Sequence, residues 1–229
     1  MWKRTRIGAL LATGTVAGAL AVVRRQRRGG SRPVFARWYG VLARRAESGE
    51  IGRRRHALLT QASGRVLDIG AGTGEAFKHL PGTVTALVAL DPDPAMLRQA
   101  VGRLHDVEAP AVLVRGWSER LPFAAATFDT VVACLVLCTV GDLDLTVAEL
   151  HRVLRPGGRL LLMEHVRASE EALAQCQDLV ERPWGWLHGG CHPNRRTLEA
   201  LDAAGFRLGG LERYGFPVLP HVQGVAVRV

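Results

Sequence analysis

Cysteine is sparse in these 229 residues: there are four, none in a CxxC pair and none in a dense framework. That excludes a disulfide-stapled scaffold and fits free thiols in a reducing compartment. Lysine occurs only at Lys3 and Lys78, so arginine carries almost all of the positive charge. No internal repeat is present, which argues against a repeat architecture. The length suits one ordinary domain with an appendage and not two large ones.

Acidic residues are missing from positions 1–32, where Lys3, Arg4, Arg6, Arg24, Arg25, Arg27, Arg28 and Arg32 supply eight of the formal net charge of +9. From Val66 onward fifteen Lys/Arg face nineteen Asp/Glu, a net −4. A body of that charge is not expected to bind nucleic acid, although the whole-chain pI near 10.6 taken alone suggests an anionic partner.

The basic residues bracket Ile7 to Val23, 17 residues without a charge. As a helix this run is roughly 26 Å long, just short of a hydrocarbon core of roughly 30 Å. It is expected to span a bilayer with local thinning or to lie shallow in its surface. A secretory signal shares these marks, but Arg24-Arg25 follows without a cleavage site. The basic excess on the C-terminal side favours a membrane-anchored chain with its folded body in the cytoplasm. Gly14 and Gly18 have GxxxG spacing, which in so Gly/Ala-rich a segment reads as chance. Nothing in the sequence specifies an oligomer.

Arg24–Arg32 reads as a solvated basic linker. Helix-compatible spacing follows at Val34 to Ala46 and Arg53 to Ala62, interrupted by Ser48-Gly49. From Arg65 short apolar runs, RVLDIG, TALVALD, AVLVRG, FDTVVACLVLC and RLLLMEHV, alternate with helix-sized segments such as Ala95–Leu104 and Leu143–Leu154. This pattern predicts parallel strands covered on both faces, an α/β doubly wound domain. Arg155-Pro156-Gly157-Gly158 reads as the stop of the second of those helices. The expected organisation is an anchor and linker over 1–32, two helices over 33–63, and a catalytic domain over 64–229.

The most informative segment is VLDIGAGTG, residues 66–74: a strand, an acid at its end, and Gly70, Gly72 and Gly74 in a turn toward a helix. Glycines there let backbone approach a ligand and take positive φ. Asp91, followed by Pro92, ends the second strand, where an acid accepts hydrogen bonds from ribose hydroxyls. A dinucleotide site spaces its glycines G-x-G-x-x-G, with helix amides facing a pyrophosphate; here they fall G-x-G-x-G. Asp68 would repel a pyrophosphate, but it suits the amino group of a methionine moiety. S-adenosylmethionine is favoured over a nicotinamide cofactor.

At these residues the chain resembles the class I methyltransferases, and it is therefore expected to have their Rossmann-like sheet. WSERLPF (117–123) is similar to the family's adenine-lining segment, and HRVLRPGGRLLLMEHV (151–166) to its turn before the fifth strand. Motif and resemblance together place the cofactor against Asp68, Gly70, Ala71, Gly72, Thr73 and Gly74, against Asp91 and Pro92, against Trp117, Ser118 and Glu119, and against Cys134 and Leu135. Two positions depart from the pattern. Trp117-Ser118 replaces the usual Asp-Ala pair, and Ala71 replaces a frequent Cys. A narrower resemblance, to the membrane-anchored methyltransferase-like seven family, is carried by CLVLCTV, by Pro183-Trp184, by Gly190-Cys191 and by RTLEALDAAGF. It implies methylation of small alkyl thiols by an enzyme with a hydrophobic N-terminal anchor.

Methyl transfer from a sulfonium is an in-line displacement, so alignment and exclusion of water matter most. If a base takes part, His165 at the end of the fifth strand is the leading candidate, with His188 and His192 behind it. Glu164 is expected to organise a loop or meet the N-terminal helices. Cys134 and Cys138, four apart in one strand, are expected on one face as small core residues. His188, Cys191 and His192 lack a fourth ligand, and no metal is expected. Trp184, Trp186, Leu187 and Phe216 are expected to wall a pocket for a lipophilic small-molecule acceptor, with Trp38-Tyr39 at its rim. Other acceptors compatible with the sequence are a membrane lipid or a quinone precursor, and a non-catalytic membrane-tethered binding module is the reading outside enzymology.

Overall fold

The computed structural model describes residues 33–229, so the expected anchor and linker lie outside the described residues. The five apolar runs form strands β1 (Gly64–Ile69), β2 (Val84–Asp91), β3 (Ala111–Arg115), β4 (Phe128–Cys134) and β5 (Leu154–His165). Their interiors are Val, Leu, Ile and Ala with almost no accessible surface, as strands covered on both faces require. One sheet face packs Leu67, Ile69, Val131, Leu160 and Leu162 against Val147 and Leu150 of the helix after β4. The other packs Val66, Leu87, Ala89, Val132 and Leu161 against Leu58, Leu59 and Leu97.

The sheet order is β3-β2-β1-β4-β5-β7-β6, with β1 to β5 parallel. The all-parallel expectation needs correction at one edge. There β6 (Phe206–Phe216) and β7 (Leu219–Arg228) form a hairpin, and β7 runs antiparallel to β5, making the sheet mixed. Along β7 the buried positions Val222, Gly224 and Ala226 alternate with partly exposed ones, the period-2 signature of a strand fully covered on one face only. Two of those three are too small to stand out as an apolar run.

Six helices complete the described chain: α1 (Pro33–Glu47), α2 (Glu50–Leu59), α3 (Pro94–Val101), α4 (Leu143–Val153), α5 (Glu171–Leu187) and α6 (Thr197–Ala203). Asp93 caps α3 by accepting from Ala95 N (2.7 Å), with Pro94 in the first turn, and Asp142 caps α4 by accepting from Leu145 N (2.9 Å). Helix α3 stops at Val101, short of the expected Leu104, because Gly102 follows. Helix α4 passes directly into β5. The Pro156-Gly157-Gly158 segment is a bulge within that strand, where pairing jumps from Phe128↔Leu154 to Thr130↔Arg159 and Gly157 takes φ +72°. Among the described residues no helix is long and apolar enough to cross a membrane.

Strand β4 ends at Cys134 rather than running to Cys138. Leu135 takes φ +58°, its N–H donates to Met163 O (2.7 Å), and the chain turns away. Cys134 and Cys138 therefore do not share a strand face. Strand order reverses between β1, which continues to β2, and β4 on its other side. In such sheets this switch point leaves a crevice at the strands' carboxyl ends.

Candidate functional site

The crevice is built on the glycine turn after β1. Gly70, Gly72 and Gly74 have φ of +59°, +55° and +82°. A Cβ on Gly70 would stand 2.2 Å from Val136 Cγ2, so the glycine is needed for contact between the two strand ends as well as for its dihedral. Gly74 sits under the Phe77 ring. Ala71 N donates to Leu90 O (3.0 Å) and Gly72 N to Asp91 Oδ2 (2.9 Å), tying the turn to β2.

Asp68 and Asp91 are both buried. Asp91 already accepts two backbone N–H groups, from Gly72 at Oδ2 and from Asp93 at Oδ1 (2.8 Å), and each oxygen keeps a lone pair for a ligand. Burial pushes its carboxyl up to about 6. Asp68 Oδ2 has no hydrogen-bond partner, and burial pushes that carboxyl up to about 7, with nearby Arg55 opposing and Asp91 adding to the rise. An orphaned buried carboxylate oxygen beside a glycine turn is a place for a ligand cation.

A cleft of about 390 Å³ opens here, within the range of small-molecule sites. Of the expected cofactor residues Gly70, Gly72, Asp91, Pro92, Trp117, Ser118, Glu119 and Leu135 line it. A smaller recess continues under the turn, lined by Asp68, Gly70, Ala71, Gly72, Thr73 and Cys134, with Arg55 and Glu75. Tyr39, Gly70 and Gly72 border both spaces. Gly74 borders neither. Glu119 Oε1 accepts from Gly141 N (2.8 Å), which joins the 117–119 segment to the loop before α4.

Sequence reasoning missed Met96, Val136, Thr139, Val140, Gly141 and Gly189 in the cleft wall. Four of them, Val136, Thr139, Val140 and Gly141, lie in the segment that turns away after β4, of which FDTVVACLVLC reads only Val136 as strand. Glu164 makes that turn: fully buried, it accepts from Val136 N (2.8 Å), Leu137 N (2.8 Å) and Cys138 N (3.2 Å). Burial raises its carboxyl to about 7, against the pull of those three amides. Of the two roles expected for Glu164, this is the loop-organising one.

The three candidate histidines separate. His188 lines the cleft, stacks on Trp184 (centroids 3.8 Å apart) and has Nδ1 3.1 Å from Trp184 O. A proton on Nδ1 then leaves Nε2 as the acceptor. His192 pairs with Glu181. His165 is not among the lining residues; it faces the thiols of Cys138 and Cys191 and packs near Trp184 and His221. The expected aromatic wall also needs correction. Trp186 and Phe216 are 85% and 77% exposed and Leu187 is exposed as well, because these side chains point outward from the end of α5 and the β6–β7 turn. Tyr39 lines the cleft, whereas Trp38 is half exposed.

The comparisons with known proteins agree with this geometry. A methyltransferase-domain family model matches residues 67–162. A thiol S-methyltransferase from Homo sapiens is 33% identical over 181 residues, 74% of each chain. A ubiquinone/menaquinone biosynthesis C-methyltransferase from Syntrophotalea carbinolica is 31% identical over 209 residues, 83% of this chain and 87% of its own. Among solved structures, an S-adenosylmethionine-dependent methyltransferase from Mesorhizobium loti superposes with a TM-score of 0.60 at 21% identity, covering 80% of this chain and 100% of that one.

Proposed function

Because the chain belongs to the class I S-adenosylmethionine-dependent methyltransferases, we propose that it methylates a small lipophilic thiol from a membrane-anchored position. When bound, S-adenosylmethionine supplies an electrophilic methyl group on a sulfonium, and the chain's own residues bind, orient and exclude water. Asp68 is assigned to the cofactor's amino group through its unpartnered Oδ2, and Asp91 to the ribose hydroxyls. Trp117, Ser118 and Pro92 are assigned to the adenine side, and Gly70 through Thr73, with Cys134 and Leu135, to the methionine side.

The observation that carries the choice of acceptor is the character of the cleft wall. Met96, Leu135, Val136 and Val140 give it apolar surface, while its two carboxylates, Asp91 and Glu119, are each engaged by backbone amides. An acceptor that ionises without a strong base suits such a wall, and a thiol with a reference pKa near 8.5 does so beside a sulfonium. If a base takes part, we assign that proton to His188, which lines the cleft, rather than to His165, which does not. The likeness to the human thiol S-methyltransferase supports the same acceptor. A quinone precursor is the second reading, supported by the likeness to the quinone-biosynthesis C-methyltransferase. Residues 7–23 are proposed as the anchor, with the body over 64–229 in the cytoplasm and the helices over 33–63 at the mouth of the cleft.

Asp91→Ala tests the ribose assignment. Losing charge-assisted bonds to two hydroxyls is expected to weaken cofactor binding by roughly 100-fold. The same change orphans the Gly72 and Asp93 amides, so the melting midpoint should also fall by several degrees, a cost visible only once the structure shows those bonds. Calorimetric titration with thermal melting checks both; a folded variant with unchanged cofactor affinity would remove Asp91 from the site.

A pH dependence follows from Asp68. Its folded pKa is raised to about 7, so the ligand-free protein holds a proton there at pH 6 that pairing with an ammonium must expel. Cofactor affinity should therefore rise with pH, by roughly eightfold between pH 6 and pH 7.5, with about one proton released per binding event at pH 6. Titration in buffers of different ionisation enthalpy measures that proton. Flat affinity and no proton release would show that Asp68 does not change state on binding.

A further inference from the structure

Three side chains that do not line the cleft converge behind its wall. Cys138 lies in the turn after β4, His165 is the last residue of β5, and Cys191 lies in the loop between α5 and α6. Both cysteines are free and almost fully buried, at 1% and 4% exposure. Cys138 Sγ is 3.5 Å from Cys191 Sγ and 3.7 Å from His165 Nδ1, and Cys191 Sγ is 3.6 Å from the same nitrogen. Two sulfurs and one imidazole nitrogen thus form a nearly equilateral triangle of soft donors.

Those edges match the face of a coordination tetrahedron. With metal bonds of roughly 2.3 Å to sulfur and roughly 2.0 Å to imidazole nitrogen, tetrahedral angles place two sulfurs roughly 3.8 Å apart and a sulfur and a nitrogen roughly 3.5 Å apart. A formed disulfide would instead need its sulfurs at roughly 2.05 Å. Weak hydrogen bonds link the three donors to one another, and backbone contacts fix the elements that carry them. Glu164 accepts from the Cys138 amide, and the His192 amide donates to Cys138 O (2.7 Å), joining the turn that carries one sulfur to the loop that carries the other. His165 is fixed by the pairing of β5 with β7.

The donor chemistry selects the ion. Two thiolates with a neutral imidazole balance a divalent charge, and a sulfur-rich tetrahedral set suits zinc over hard oxygen-seeking cations. We propose that Cys138, His165 and Cys191 form a Cys2His site for a zinc-class divalent cation, with the fourth position open to a water or a thiolate. From spacing alone the set to weigh is His188, Cys191 and His192, on which no metal is expected; neither Cys138 nor His165 is near Cys191 along the chain. The site does not depend on the methyltransferase reading, since no residue of the triangle borders the cofactor cleft.

The test uses the full chain, reduced and stripped with a chelator, then titrated with Zn²⁺ and separately with Co²⁺ in the absence of cofactor and acceptor. The expected result is one tight equivalent of Zn²⁺, and a Co²⁺ form showing thiolate charge-transfer absorption with the visible bands of tetrahedral cobalt. Cys138→Ser and Cys191→Ser should each weaken binding at least a hundredfold and diminish the charge-transfer band, while Cys176→Ser, at an exposed position, should leave both unchanged. Thermal melting identifies any variant that fails to fold; His165→Ala then serves as the second variant, expected to keep the charge-transfer band but lose affinity. Absence of metal uptake by the folded, reduced protein would overturn the proposal. So would a cobalt spectrum that is the same in the folded Cys191→Ser variant, or a Cys138–Cys191 disulfide in a protein whose reduced form takes no metal.

Discussion

Asp68→Asn is expected to reduce methyl transfer at least a hundredfold while leaving the ligand-free protein as stable as before or more so. The two effects have one cause. Asp68 is 3% exposed, and its ionised form lacks a partner for Oδ2, so the free protein bears a desolvation cost that burial expresses as a pKa of about 7. An amide of the same shape removes that cost near neutral pH, and it also removes the negative charge assigned to the cofactor's ammonium. Loss of a buried charge-assisted pair is worth roughly 3 kcal/mol, or roughly a hundredfold in binding. A melting curve and a cofactor titration on the same sample separate these effects. A folded asparagine variant that binds S-adenosylmethionine within threefold of the parent would take Asp68 out of the site.

Gly70→Ala should act in the opposite order, on the fold before the ligand. Its Cβ would lie 2.2 Å from Val136 Cγ2, at φ +59°, where a side chain carries its own backbone cost. Val136 cannot retreat freely, because its amide is held by Glu164. Roughly 3 kcal/mol or more should be lost, lowering the melting midpoint by roughly 6–12 °C. Adding Val136→Ala removes Cγ2 but leaves Val136 Cβ 2.7 Å from the new methyl, and leaves the dihedral strain, so only a minor part of the loss should return. An unchanged midpoint in Gly70→Ala would mean that the turn is not packed against the end of β4 as described.

Much of the fold was legible because its signals are local. Five apolar runs separated by helix-sized segments specify parallel strands. The end of β4 was not legible. CLVLC reads as strand to its last residue, and what breaks it is a left-handed Leu135 held by a carboxylate turn closed through Glu164, some thirty residues away. The edge hairpin was missed because its inward positions are Gly and Ala as often as Val.

The candidate site divides along the same line. Gly70, Gly72 and Asp91 were readable from the spacing of one motif, and the structure places them on a common cleft. The sequence favours His165 over His188, whereas only His188 lines the cleft, since proximity to it depends on how α5 and its following loop return over the sheet. The convergence of Cys138, His165 and Cys191 is likewise long-range, with no spacing to announce it.

The most direct test of the account is transfer of labelled methyl from S-adenosylmethionine by the full chain, in lipid vesicles, offered an alkyl thiol, a quinone precursor and a phospholipid in parallel. The account predicts label on the thiol sulfur, lost in Asp68→Asn. Label on the quinone precursor or phospholipid alone would contradict the proposed acceptor, and label on none of the three by a folded protein that fails to bind the cofactor would contradict the site itself.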